Sequence, residues 1–172
     1  DTLVSAVVDF PHGAGGCAVK RAIAEYALDQ GALELDMVMN YSAARSGDWD
    51  TVKREIQAVV SLAHPRGALV KVIFETSEHT EESIRKGVEI CIEAGADFVK
   101  TSTGFSSKGA TVEAVSAMLD QAQGRIQVKA SGGIRDYAGA KLYVDMGVKR
   151  LGIGFSGSAV VCTGEGENAE NY

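Results

Sequence analysis

The sequence has no apolar run approaching the roughly 20 residues that a membrane-spanning helix needs, and no basic stretch leading into a cleavage site near its start. A membrane partner and an export signal are therefore not expected. Positive charge is not in excess either. The formal net charge is -6, which argues against nucleic acid or an anionic surface as a broad electrostatic partner, so an anionic ligand has to be held by a local site. Cysteine is sparse: Cys17, Cys91 and Cys162 are far apart, odd in number and outside any Cys-x-x-Cys pattern. Such usage suits a reducing compartment, and a cytoplasmic location is the expectation. His12, His64 and His79 fall in different loops or helix ends with no Cys/His/Glu cluster at ligand spacing, so no metal site is expected. Up to Cys162 there is no linker or low-complexity tract. The expected organisation is one domain over residues 1–162 and a polar, acidic, flexible tail over 163–172.

What is present is alternation. Apolar, β-branched runs predict strands at Leu3–Val8, Leu33–Met39, Leu69–Glu75, Phe98–Thr101, Ile126–Ala130 and Arg150–Ile153. Amphipathic stretches between them predict helices at Cys17–Gln30, Trp49–Ala63, Glu81–Ala94, Thr111–Gln121 and Tyr137–Met146. Gly31, Gly95 and Gly147 follow helices where a left-handed cap suits glycine. A βα repeat of about thirty residues calls for a parallel sheet covered by helices, which means a doubly wound sheet or a closed barrel. No Gly-x-Gly-x-x-Gly turn follows the first strand. Polar residues close successive strands at Asp9, Asn40, Glu75, Lys100 and Lys129. This pattern favours a TIM (β/α)8 barrel, whose site takes one residue from each of many strands. Six units are legible where such a barrel has eight, and the first strand begins at once. The expectation is a barrel lacking its first two units.

Two lysines end neighbouring strands. Lys100 stands in Phe98-Val99-Lys100-Thr101 and Lys129 in Gln127-Val128-Lys129-Ala130. A lysine in an apolar strand either reaches water with its head group or has its pKa lowered. Two at equivalent strand ends disfavour each other's protonation and leave one neutral amine able to condense with a carbonyl. Period-two alternation puts Asp36 on one face with Glu34 and Val38, opposite Leu35, Met37 and Met39. An inward carboxylate there fits a proton relay with Lys129 and water, or equally a structural ion pair. Glycine-rich loops after the last two strands, Ser131-Gly132-Gly133 and Gly152-Ile153-Gly154-Phe155-Ser156-Gly157, suit a phosphate cup. Thr103 and Gly104 can add a hydroxyl and an amide. Phe10-Pro11-His12-Gly13 reads as a turn at the mouth, Cys17 and Cys91 as packing residues, and Trp49 as a packing anchor.

Five segments together resemble successive motifs of deoxyribose-phosphate aldolases. They are Asp9-Phe10-Pro11-His12-Gly13, Glu34 to Asn40, Leu69 to Thr76, Ala94 to Gly104, and Val128 to Arg135. The resemblance implies a Schiff base on Lys100, a pKa-lowering role for Lys129 and a proton-relay role for Asp36. It also implies phosphate contacts at Thr103, Gly104, Gly132, Gly133 and Gly152, with Ser131, Gly154 and Ser156 as further candidates. The implied reaction is reversible cleavage of 2-deoxyribose 5-phosphate to glyceraldehyde 3-phosphate and acetaldehyde, without metal or organic cofactor. The implied partner is a small phosphorylated sugar, and a homo-oligomer is left open. The chain departs from the family pattern where consecutive serines usually follow the first glycine of the last loop. Tyr172 stands where some members place a mobile proton donor. The alternatives are another lysine aldolase of sugar phosphates, and an inactive barrel fragment that only binds phosphate.

Overall fold

The structure, a computed structural model, describes residues 2–164. Six strands, β1 (Ser5–Val8), β2 (Glu34–Val38), β3 (Leu69–Ile73), β4 (Phe98–Lys100), β5 (Gln127–Ser131) and β6 (Arg150–Gly152), form one sheet in sequence order. Every neighbouring pair is parallel. The connections run through α1 (Gly16–Asp29), α2 (Tyr41–Arg45), α3 (Trp49–Ala63), α4 (Glu81–Ala94), α5 (Val112–Ala122) and α6 (Tyr137–Asp145), and α7 (Phe155–Thr163) follows β6.

The helices begin where their caps dictate. Asp48, Thr80, Thr111 and Asp136 each accept a backbone N–H from the first turn of α3, α4, α5 and α6, satisfying donors that a helix start leaves without partners. α3 buries Val52, Ile56, Val59, Val60 and Ala63 at helical spacing, and α4 does the same with Ile84, Val88 and Cys91. The ring of Phe74 lies so close to α4 that a Cβ on Gly87 would sit 2.7 Å from it. Trp49 packs against this core from its edge.

Alternate strand residues divide between two layers. Leu35, Met37, Val70, Val72, Phe74, Val99, Val128 and Ala130 belong to the hydrophobic core shared with the helices. Their neighbours Glu34, Asp36, Lys71 and Lys100 are buried on the opposite face, with Lys129 partly buried beside Lys100 in register. That inner face is concave. Flat strands about 4.8 Å apart would hold β2 and β5 roughly 14 Å from each other, yet Lys129 of β5 donates to Asp36 of β2 at 2.8 Å. Arg150 of β6 reaches Glu34 of β2 at 2.9 Å. The sheet therefore curls around its charged face, as a partial βα barrel does.

Several expected boundaries move. β1 starts at Ser5 rather than Leu3, because pairing in register with β2 begins at Ser5 opposite Glu34. Glu75 lies outside β3, since its left-handed backbone (φ 56°) ends the extended run before a 3-10 turn at Thr76–Glu78. Sequence periodicity did not show the short α2, the two 3-10 turns or α7, which are too short or too evenly apolar for a period to register. Cys17 corrects the packing assignment: it is exposed on the first turn of α1, whereas Cys91 is fully buried and its thiol pKa is pushed up by burial. The expected tail and Tyr172 lie outside the described residues, apart from its first residues, Thr163 and Gly164.

Candidate active site

Asp36, central on β2, is the hub of the inner layer. Its Oδ2 accepts from the amines of Lys100 and Lys129, each at 2.8 Å, and its Oδ1 accepts from Lys71 at 2.8 Å and from the Ser5 hydroxyl at 3.2 Å. Lys71 is wholly buried and donates a second bond to Glu34 at 2.8 Å, and Glu34 in turn meets Arg150. The amines of Lys71 and the guanidinium of Arg150 both lie near the ring of Phe98, at 6.0 and 5.6 Å from its centroid. Side chains from six strands thus share one network. It is needed because each buried charge, left alone, would cost several kcal/mol.

The structure brings Lys100, Lys129 and Asp36 together, and it also brings in Lys71, which the sequence reading did not select as a site residue. Lys71 sits in an apolar run whose alternation marks it as inward-facing, the signal that selected Asp36 on the next strand. The electrostatic argument needs a correction too. Lys100 is held below the ordinary lysine range first by burial, with Asp36 opposing the shift and the charges of Lys129 and Lys71 adding to it. Mutual repulsion between two lysines is therefore not the leading cause. Asp36 is pushed up by burial, but the ammonium groups of Lys100 and Lys129 outweigh that and keep the carboxylate ionised well below its usual range.

The loops at the C-terminal strand ends lie above this layer. Gly132 and Gly133 both have left-handed φ, of 84° and 76°. A Cβ on Gly109 would fall 2.1 Å from the carbonyl oxygen of Gly132, and Ala110 N–H donates to that oxygen at 3.0 Å. Gly109 therefore lets the loop after β4 lie on the loop after β5, a role visible only once both loops are placed. Gly152 is similarly forced: a Cβ there would meet Ser131 Cβ at 2.5 Å and Lys129 Cε at 3.5 Å. Gly154 precedes the first turn of α7, where Ser156 is exposed. The hydroxyl of Ser131 is turned inward, donating to Ser102 O at 2.6 Å. Thr103 donates both its hydroxyl and its N–H to Glu75 Oε2, while its Oγ1 accepts from Phe105 N–H at 3.0 Å. Gly104 is exposed with φ 92°.

The opposite side of the mouth is tied by a cluster in which Asp9 and Asn40 meet Lys20 and Glu55, two charges that the sequence did not single out. Lys20, fully buried on α1, meets Asp9 at 2.5 Å, Gly13 O at 2.6 Å and Glu55 at 3.4 Å. Asn40 donates to the same glutamate at 3.2 Å. Phe10 packs edge-on to Phe105 at 5.4 Å, and His12 Nδ1 lies 3.2 Å from the Tyr41 hydroxyl. Among the described residues no group of three or more His, Cys, Asp or Glu is arranged to hold a metal ion. Two open surface clefts, of about 700 and 590 Å3, flank α4 and contain neither Lys100 nor Asp36. The chemistry sits instead in the narrow charged layer: an amine whose pKa burial lowers, a fixed carboxylate and a second amine, all within hydrogen-bond reach.

Comparison with known proteins shows the family. The family model described as DeoC/LacD family aldolase matches residues 5–157. A deoxyribose-phosphate aldolase of Exiguobacterium sp. (strain ATCC BAA-1283 / AT1b) is 48% identical over 168 residues, covering 98% of this chain and 75% of that protein. The Thermococcus gammatolerans deoxyribose-phosphate aldolase is 51% identical over 152 residues, covering 88% of this chain and 68% of that protein. The tetrameric deoxyribose phosphate aldolase of Aeropyrum pernix superposes with a TM-score of 0.85, at 36% identity, over 93% of this chain and 66% of that one. With the lysine–aspartate layer in place and this similarity spread along nearly its whole length, the chain belongs to the DeoC/LacD family of aldolases.

Proposed function

We propose that the chain reversibly cleaves 2-deoxyribose 5-phosphate to glyceraldehyde 3-phosphate and acetaldehyde through an imine on Lys100. The observation that carries this reading is the convergence of Lys100 and Lys129 on a single oxygen of Asp36, each at 2.8 Å. Burial favours the neutral form of Lys100, the form that attacks a carbonyl. The resulting iminium draws the electron pair of the breaking carbon–carbon bond and leaves a two-carbon enamine on nitrogen. Asp36 and Lys129 take up and return the proton of the hydroxyl beside that bond. The glycine loops at Gly132, Gly133, Gly152 and Gly154, with Gly104, Thr103, Ser131 and Ser156 around them, receive the phosphate end through backbone N–H groups and the start of α7.

Several wider features belong to the same reading. The six units form part of an eight-stranded barrel, a view supported by the curl of the sheet and by relatives longer than this chain. Residues 1–162 act as one domain, the enzyme works in the cytoplasm without a cofactor, and it assembles into a homo-oligomer. Among the described residues no helix is long and apolar enough to cross a membrane.

Incubation with acetaldehyde and borohydride tests the chemistry. Lys100 is expected to gain an ethyl group, located by peptide mass spectrometry. Absence of that adduct, or faster cleavage of hexose phosphates than of deoxyribose 5-phosphate, would overturn the reading.

A further inference from the structure

Three described residues other than glycine have left-handed φ: Asp9, Glu75 and Gln123. Gln123 ends α5, where such a conformation is an ordinary helix cap. The other two are acids following strands that open onto the mouth, and backbone strain at such places gathers at functional sites. They differ in one respect. The Asp9 carboxylate takes Lys20 at 2.5 Å and Gly15 N–H at 2.9 Å on Oδ2 and remains partly exposed to water, which accounts for it as a structural clamp. Glu75 is only 3% exposed, its Oε2 takes both donors of Thr103, and its Oε1 is buried with no partner among the described residues.

A buried, unpartnered carboxylate oxygen would be costly. A neutral carboxylic acid lowers this cost by removing the buried charge: Oε2 serves as the carbonyl oxygen accepting from Thr103, and Oε1 carries a proton that no neighbour accepts. Burial pushes the Glu75 pKa up, Glu78 adds to that, and Thr103 and Lys100 oppose it; the balance is upward. Glu75 lies two residues beyond Ile73, the register partner of Lys100, and Phe74 N–H donates to Lys100 O at 2.9 Å. Its backbone therefore stands one step toward the mouth from that of Lys100, on the β3 side, and the two side chains are close enough for the Lys100 charge to act on Glu75. Lys129, on β5, flanks Lys100 from the other side.

We propose that Glu75 is a catalytic acid whose Oε1 proton is delivered to the carbon end of the two-carbon enamine on Lys100. The proposal rests on the imine reading above. In this step the Glu75 O–H bond breaks, the enamine π pair forms the new C–H bond, and nitrogen becomes an iminium. Water then adds to release acetaldehyde, and the Glu75 carboxylate regains its proton from solvent. In the synthetic direction the carboxylate removes the same proton.

The test uses acetaldehyde alone, with the chain in deuterated water, following methyl deuteration by NMR and imine formation by borohydride trapping in parallel. Glu75→Gln is expected to keep the trapped adduct while slowing methyl exchange by about 100-fold or more, and Glu75→Asp to recover part of the exchange. Exchange at the wild-type rate in Glu75→Gln overturns the proposal and leaves the imine reading intact. Loss of the adduct together with exchange, without recovery in Glu75→Asp, also overturns it, because Glu75 then only supports the loop at Thr103. A wild-type chain that forms no adduct sinks both readings.

Discussion

The outward face of the sheet presents Leu35, Met37, Val70, Val72 and Val99 to the helices, while the inward face of the same strands presents Glu34, Asp36, Lys71 and Lys100. Both faces are buried, and they are stabilised by different physics. The outer layer gains from each apolar group removed from water, so its contributions are local and many. The inner layer is stable only as a set, because each charge is tolerated through its partners. The first layer holds the second in position, and only the second contains a group whose protonation state burial can shift toward catalysis.

The largest effect expected from breaking this contrast is at Lys100. Lys100→Met should reduce both adduct formation and cleavage of deoxyribose 5-phosphate to background while the fold survives, measured by trapping and circular dichroism. Lys129→Met should leave an amine that still traps acetaldehyde but only at higher pH. The charge of Lys129 helps to lower the Lys100 pKa, so its removal raises that pKa and shifts the rising limb of the pH–rate profile upward.

Asp36→Asn should destabilise the fold by about 3–5 kcal/mol in urea unfolding, since it removes the shared anion from three ammonium groups. The native pKa of Asp36 is depressed, so its stabilisation is present above the ordinary aspartate pKa and is lost as pH falls toward the native value. The variant should lack that acid-limb component. In the outer layer, Ile56→Ala at a fully buried position should cost about 2–5 kcal/mol and leave the pH dependence of trapping unchanged, because it touches no charge. The smallest effect belongs to an ion pair outside both layers. Lys53 meets Glu93 at 2.8 Å on the helical surface with both side chains substantially exposed, and Lys53→Ala should change stability by no more than about 1 kcal/mol.

How much of this was legible beforehand differs between the layers. The long helices read directly from spacing, with α3 and α4 beginning and ending at the expected residues, because capping side chains and apolar period are both local signals. The inward orientation of Asp36 was legible from alternation for the same reason. Alternation names a face but not a partner, so Lys71 and Lys20 went unselected although each is wholly buried. Glu75 read as the last residue of a strand, since no local pattern signals that its backbone turns left-handed. Gly109 read as one loop glycine among many until the carbonyl of Gly132 was found against it.

The sequence by itself determined the order of strands and helices, the face on which each strand residue lies, and the family, since these depend on periodicity, caps and motif spacing along the chain. Only the tertiary structure decided that β2, β4 and β5 bring Asp36, Lys100 and Lys129 to a single carboxylate oxygen. It also decided that burial outranks charge repulsion at the amine. The reason is physical: curling a sheet sets distances between strands that are remote along the chain, and desolvation depends on everything packed around a group, which no stretch of neighbouring residues encodes.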